Sequence, residues 1–292
     1  MNVEMAYLLG MILGNGEIQQ KTSETTITID IPYKNLYTDD MKDASVYVAA
    51  SLINIQNFIN PLIGAKLVVT QNSRSTKVSF TKNNSDYVIR EIIKLTENGT
   101  HHSTMRMARD LFDITDDEKK SLLRGIADST GYIRRSNHAY TDDWMHRVYI
   151  EIPANWYMVI DIANMLRDID IPVQTIDFGH PNFRDSKVEK YNSGKKNYWK
   201  KEHQVKVLAN EFLPVGFNII HKQEALEKLS DELLEYADPE KTHKFWWEKP
   251  IRRKNKPPHP AENDSSLPVE IRGKHFESWT ELANILGYGP EC

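Results

Sequence analysis

The chain repeats itself, and that constrains its fold more than any other feature. The segment "LLGMILGNGEI" at 8–18 falls on "LLRGIADSTGYI" at 122–133, with Gly10 over Gly125, an offset of 115. Likewise "ITIDIPY" at 27–33 falls on "VYIEIPA" at 148–154, placing Asp30 opposite Glu151 and Pro32 opposite Pro153. Further on, "TKVSF" falls on "VKVLA", which sets Lys77 opposite Lys206 at an offset of 129. Self-similarity at a fixed period has to be read before any fold is considered. The 14 residues by which the offset grows are placed in the long loop "HPNFRDSKVEKYNSGKKNYWKKE" of the second copy.

Periodicity gives both copies the same order of elements. Met5, Leu8, Leu9, Ile12 and Leu13 recur at helical spacing over about 3–15, and Asn15-Gly16 ends that helix. Two alternating runs follow, the second with Ile27, Ile29 and Ile31 on one face and Thr26, Thr28 and Asp30 on the other. A helix through "ASVYVAASLINIQNFI", strands "KLVVTQ" and "STKVSF", and a helix over about 86–96 complete an αββαββα unit. After a short helix near "MRMARDLF", the order restarts with a helix opened by Thr115 and Glu118 at capping-box spacing. Strands "YIRRSNHAY" and "HRVYIEIPA", helix "WYMVIDIANMLRDI", strands "VQTIDF" and "HQVKVLA", and a helix near 222–236 repeat it. The expected fold class is therefore α+β. The expected units are 1–100 and 101–237, followed by a basic, Pro-rich linker at 238–266 and a small unit at 267–292 built from a β-ribbon and a short helix.

Composition excludes several classes. The only cysteine, Cys292, permits neither an internal disulfide nor a cysteine zinc site, and an intracellular setting, cytoplasmic or nucleoid-associated, is expected. The apolar run "MAYLLGMILG" lacks a preceding basic stretch and stops far short of the roughly 20 residues of a membrane span, so neither a span nor a secretory leader is expected. A net charge of −4 gives no hint of nucleic acid, but the average hides the distribution. Eight basic residues stand against three acids between Asn182 and Lys206, a local charge of +5, with Tyr191, Tyr198 and Trp199 among them. Seven stand against Glu248 alone between Lys241 and Lys256, giving +6, beside Phe245, Trp246 and Trp247. Cations laced with aromatics suit phosphates and exposed bases.

The two helix-end motifs, "YLLGMILGNGEI" and "FDITDDEKKSLLRGIADSTGYI", resemble the paired motifs of LAGLIDADG homing endonucleases in their single-chain, two-repeat form, over roughly residues 3–236. Small residues along one flank, Gly10 and Gly14 on the first helix and Gly125, Ala127 and Ser129 on the second, would let the two backbones approach closely. The resemblance implies that the helices lie side by side, and that each sheet forms half of a β-saddle straddling double-stranded DNA in a monomer with internal pseudo-twofold symmetry. It also implies an acid just before the final glycine of each motif, the pair holding divalent metal. Those positions here are Asn15 and Thr130, neither of them charged.

Mg²⁺ requires hard anionic oxygens, so this departure implies a nuclease activity lost or strongly impaired, with no cofactor needed for binding. The alternative is an active endonuclease with metal ligands moved to Glu17, Asp128, Asp30 or Glu151, in which case Mg²⁺ is required; a further alternative is an RNA-binding splicing cofactor acting on structured RNA. Lys77 and Lys206 match strand positions where the family keeps a basic residue near the scissile phosphates. Lys21, Thr26, Thr28, Arg74, Arg134, Arg135 and Arg147 are the expected strand and turn contacts to DNA. Arg184, Lys195, Lys196, Trp199, Lys200 and Lys201 in the long loop, and Arg252, Arg253 and Lys254 in the linker, extend the expected interface. The terminal "VEIRGKHFESWTELANILG" resembles the small modular DNA-binding repeats often appended to homing endonucleases.

Overall fold

The structure is a computed structural model describing residues 1–33, 44–64, 66–135, 146–177, 202–236, 269–271 and 274–276. Residues Met1–Asp231 form one compact unit and Glu232–Cys292 a second. In chain order the first copy comprises α1 (Val3–Asn15), β1 (Gly16–Gln20), β2 (Glu24–Pro32), α2 (Ala44–Ile63), β3 (Val68–Gln71), β4 (Ser75–Asn83) and α3 (Tyr87–Leu95). The second comprises α4 (Asp116–Thr130), β5 (Gly131–Arg134), β6 (Arg147–Pro153), α5 (Trp156–Asp168), β7 (Thr175–Asp177), β8 (Glu202–Leu208), the short α6 (Ala209–Phe212) and α7 (Ile220–Tyr236). The expected αββαββα order therefore recurs. Each copy folds its strands into a four-stranded antiparallel sheet, ordered β1-β2-β4-β3 and β5-β6-β8-β7. In the C-terminal unit, β9 (Val269–Ile271) and β10 (Lys274–Phe276) pair antiparallel, as the expected ribbon does; the helix expected after it lies outside the described residues.

Local chemistry starts both central helices. Asn2 caps α1 by accepting from the Met5 amide, and Thr115 with Glu118 closes a complete capping box on α4. All residues of α1 from Met5 to Gly14 are buried, because α4 lies along it. Glycine makes that approach possible, and the contacts are reciprocal. A Cβ on Gly10 would stand 2.0 Å from the Leu122 carbonyl oxygen, and one on Gly125 would stand 2.2 Å from that of Tyr7. Ser121 adds a cross-helix bond from its hydroxyl to the Val3 carbonyl at 2.7 Å.

Strand alternation then assigns the faces. Ile27, Ile29, Ile31, Val78 and Phe80 bury one face of the first sheet, and Val148, Ile150, Ile152, Val205 and Val207 the same face of the second. Residues between them are left on the opposite, polar face. The connection between the copies is fastened to α5: Arg106 makes a two-bond ion pair with Asp161 (Nε–Oδ2 2.8 Å, Nη2–Oδ1 2.9 Å), and the Asn155 side chain donates to the carbonyls of His102 and Met105, both at 2.7 Å. None of the described helices is long and apolar enough to cross a membrane.

Candidate nucleic-acid interface

The polar faces of the two sheets share a register, so their residues can be matched row by row. Glu17, Thr28, Ser79 and Val68 form one cross-strand row of the first sheet, and Tyr132, Tyr149, Lys206 and Thr175 form the matching row of the second. Nearer the helix ends the rows are Asp30, Lys77 and Thr70 against Glu151, Gln204 and Asp177. Farther out, Gln19, Thr26 and Thr81 match Arg134, Arg147 and Leu208.

This register corrects one correspondence expected from the sequence. Lys77 pairs with Asp30, and the residue that pairs with Glu151 is Gln204, not Lys206. A shift of two residues leaves every side chain on its own face, so apolar alternation cannot detect it. The two lysines also differ in setting. Lys77 is exposed, whereas the Lys206 ammonium is ion-paired with the Asp177 carboxylate and lies 5.4 Å from the Tyr149 ring centroid.

Asn15 and Thr130 are brought together as expected, lining one cavity of about 40 Å³ with Pro32, Ser129, Glu151, Pro153 and Glu202. Both side chains turn toward backbone carbonyls: Asn15 Nδ2 donates to Asp30 O at 2.9 Å and Thr130 Oγ1 to Ile126 O at 2.9 Å. Of the acids considered as substitutes, Asp128 is fully buried and faces the interior. Its carboxylate accepts from the Tyr7 hydroxyl at 2.7 Å and from the amides of Asn218 and Ile219 at 3.0 and 3.2 Å. Beside it the buried Lys222 ammonium donates to the carbonyls of Ala127 and Asp128. Burial raises the pKa of Tyr7 and of Asp128, and pushes that of Lys222 down to about 8.

Glu151 accepts from the Tyr132 hydroxyl (3.1 Å) and from Gln204 Nε2 (2.7 Å). Glu17 is exposed and accepts from Gln19 Nε2. Asp30 differs from all of these, because its Oδ1 is buried with no hydrogen-bond partner. A divalent ion needs several converging oxygens that carry charge. Among the described residues no group of three or more His, Cys, Asp or Glu side chains is placed to hold one. The cavity shared by Asn15 and Thr130 is lined by two carboxylates, Glu151 and Glu202; Glu151 already accepts two hydrogen bonds and Asn15 and Thr130 add no charge, so the residues present do not fit a divalent ion held between Asn15 and Thr130.

The remaining strand and turn positions are distributed over both sheets. Lys21 is exposed at the β1–β2 turn, Arg74 at the β3–β4 turn, and Thr26 shares a hydroxyl bond with Thr81 at 2.8 Å while Thr28 is half-buried. Arg134 and Arg135 are exposed at the end of β5, and Arg147 is half-buried with its Nε bonded to Gln174. Arg184, Lys195, Lys196, Trp199, Lys200, Lys201, Arg252, Arg253 and Lys254 lie outside the described residues.

Three features of the site went unread in the sequence. One is the stacked pair Tyr132–Tyr149, with centroids 5.0 Å apart and rings 4° from parallel; another is the use of Gln174 and Asp177 to hold cations of the polar face. Both become legible only when the register is known. The third is His102, whose amide donates to Gly16 O at 2.9 Å and whose imidazole is pushed down to about 4, first by burial and then by the neighbouring His101.

No protein-family model matches the chain, and no curated protein matches it. Among solved structures, it is similar to mesophilic variants of the homing endonuclease I-DmoI, at 12% identity over 76% of this chain and 95% of that one, with a TM-score of 0.41. The complex of I-DmoI with DNA and Mn gives 12% identity, coverages of 76% and 97%, and a TM-score of 0.41. Full-length WhiA from Thermotoga maritima gives 14% identity over 83% of this chain and 64% of that one, with a TM-score of 0.44.

Proposed function

We propose that the chain is a sequence-specific double-stranded DNA-binding protein of the LAGLIDADG type, acting as a monomer, whose two polar sheet faces, related by a pseudo-twofold axis between α1 and α4, each read one half of the target, and whose nuclease activity is lost or strongly impaired. The observation that carries this reading is the helix-end geometry. Two like sheets leave the ends of one close helix pair, while the side chains at those ends, Asn15 and Thr130, donate to internal carbonyls. Phosphate contacts need only charge and reach, which Lys77, Arg74 and Arg135 supply from exposed positions. The basic, aromatic-laced stretches at 182–206 and 241–256 supply further phosphate contacts.

Selection of bound sequences from a random duplex library, with an RNA pool run in parallel, tests the reading. Enrichment of one duplex motif is expected, with affinity falling steeply between 50 and 200 mM salt, as about six or more phosphate contacts would require. Enrichment from the RNA pool alone would replace DNA with structured RNA as the ligand, and enrichment from neither pool would contradict nucleic-acid binding.

A further inference from the structure

On the outer row of the second sheet, Arg134 and Arg147 stand directly opposite one another on paired strands. Like charges in register on one face are destabilising, and Cα atoms so paired are only about 4.5–5.5 Å apart. The matching pair of the first sheet is Gln19 and Thr26, so the fold itself does not call for the arginines.

Both guanidinium groups are also held in place. The Arg134 Cζ lies 4.7 Å from the Tyr132 centroid and 6.0 Å from that of Tyr149, the two rings being stacked in parallel. Tyr132 is fixed in turn by its hydroxyl, which donates to Glu151. Arg147 donates through Nε to the Gln174 side-chain oxygen. A phosphate contact would need none of this, because charge alone suffices and a lysine would serve. A fixed, planar fork suits a different acceptor, the O6/N7 edge of guanine in the major groove, where arginine is the commonest bidentate partner.

We infer that Arg134 and Arg147 read a guanine-bearing step in the half-site bound by the second sheet, with Tyr132 and Gln174 as positioning residues. This rests on the proposed duplex-DNA reading and deepens it. The test is duplex selection with the full chain as wild type and as Arg134→Lys, Arg147→Lys and Tyr132→Leu, with thermal midpoints measured in parallel. The wild type is expected to enrich a motif containing guanine. Each lysine variant should then relax guanine preference at one position by roughly ten- to a hundred-fold, keeping non-specific affinity and salt dependence. Tyr132→Leu should relax the same position as Arg134→Lys, a loss of specificity that mere destabilisation would not confine to one base pair; a Tyr132→Leu chain that does not fold leaves the lysine variants to decide. Unchanged preference in the lysine variants, or an equal loss of affinity for all sequences, would make these residues phosphate contacts and overturn the inference while leaving DNA binding intact. A wild type that enriches no duplex would overturn both.

Discussion

In the first sheet, the row beyond the helix ends presents Glu17, Thr28 and Ser79; in the second, the same row presents Tyr132, Tyr149 and Lys206. Underneath, the copies stay alike: Gly10 meets Leu122 as Gly125 meets Tyr7, and Ile27 to Ile31 bury as Val148 to Ile152 do. Close packing forbids change where backbones touch. The polar faces meet no such limit, so one copy has kept small hydroxylated side chains while the other holds anchored cations and rings. Specificity is therefore expected to be unequal between the half-sites, although one architecture presents both.

The largest effect should break the likeness of the helices. Gly10→Ala and Gly125→Ala are each expected to lower stability by about 3 kcal/mol, the upper end for overpacking, because the added methyl meets a backbone oxygen that can retreat only if the helices part. Gly14→Ala should cost about 1 kcal/mol, since its closest neighbour is the Ser129 hydroxyl. Urea unfolding midpoints check all three. Unequal losses at Gly10 and Gly125 would show that the helix contact is not reciprocal in solution.

A second, smaller effect sharpens the contrast between the lysines. Lys77→Ala should reduce the slope of log affinity against log salt by about 0.9, one phosphate contact. Lys206→Ala should change it less, because Asp177 already neutralises that ammonium, and Asp177→Asn should strengthen binding. An equal slope change for the two lysines would argue that the ion pair opens on DNA.

A last effect concerns two histidines, one in the connection between the copies and one in α7. His102 and His221 both have their folded-state pKa lowered to about 4 from 6.5, chiefly by burial. Between those values the unfolded chain binds protons that the folded chain does not. Stability should thus be fully present above about pH 6.5 and fall as pH drops toward 4, with an uptake on unfolding approaching two protons. Thermal midpoints from pH 7.5 to 4.5 check this, and His102→Asn should flatten the dependence by about half.

The fold was largely legible because the duplication is written in residues that packing constrains: glycines at the helix contact, isoleucines on one strand face, and Thr115 with Glu118 at a helix start. The site was less legible. Alternation reveals a strand's face but is blind to a shift of two residues, hence the pairing of Lys77 with Lys206 where the sheet matches Lys77 with Gln204. Asp128 looked close enough to the helix end to serve there. It stands two residues before Thr130 on α4, about 200° around the helix, and that aims it at Tyr7 instead. Gln174 lies just before β7, which β8 separates from the strand of Arg147, so no local pattern announces it as an anchor.

Incubating the selected duplex, saturated with protein, with Mg²⁺ or with Mn²⁺ and resolving the strands on a denaturing gel tests the central claim most directly. Both strands are expected to remain intact at the bound site, with binding unaffected by chelator. Specific double-strand cleavage there would contradict it, and would direct attention to the unpartnered Asp30 oxygen as the start of a working metal site.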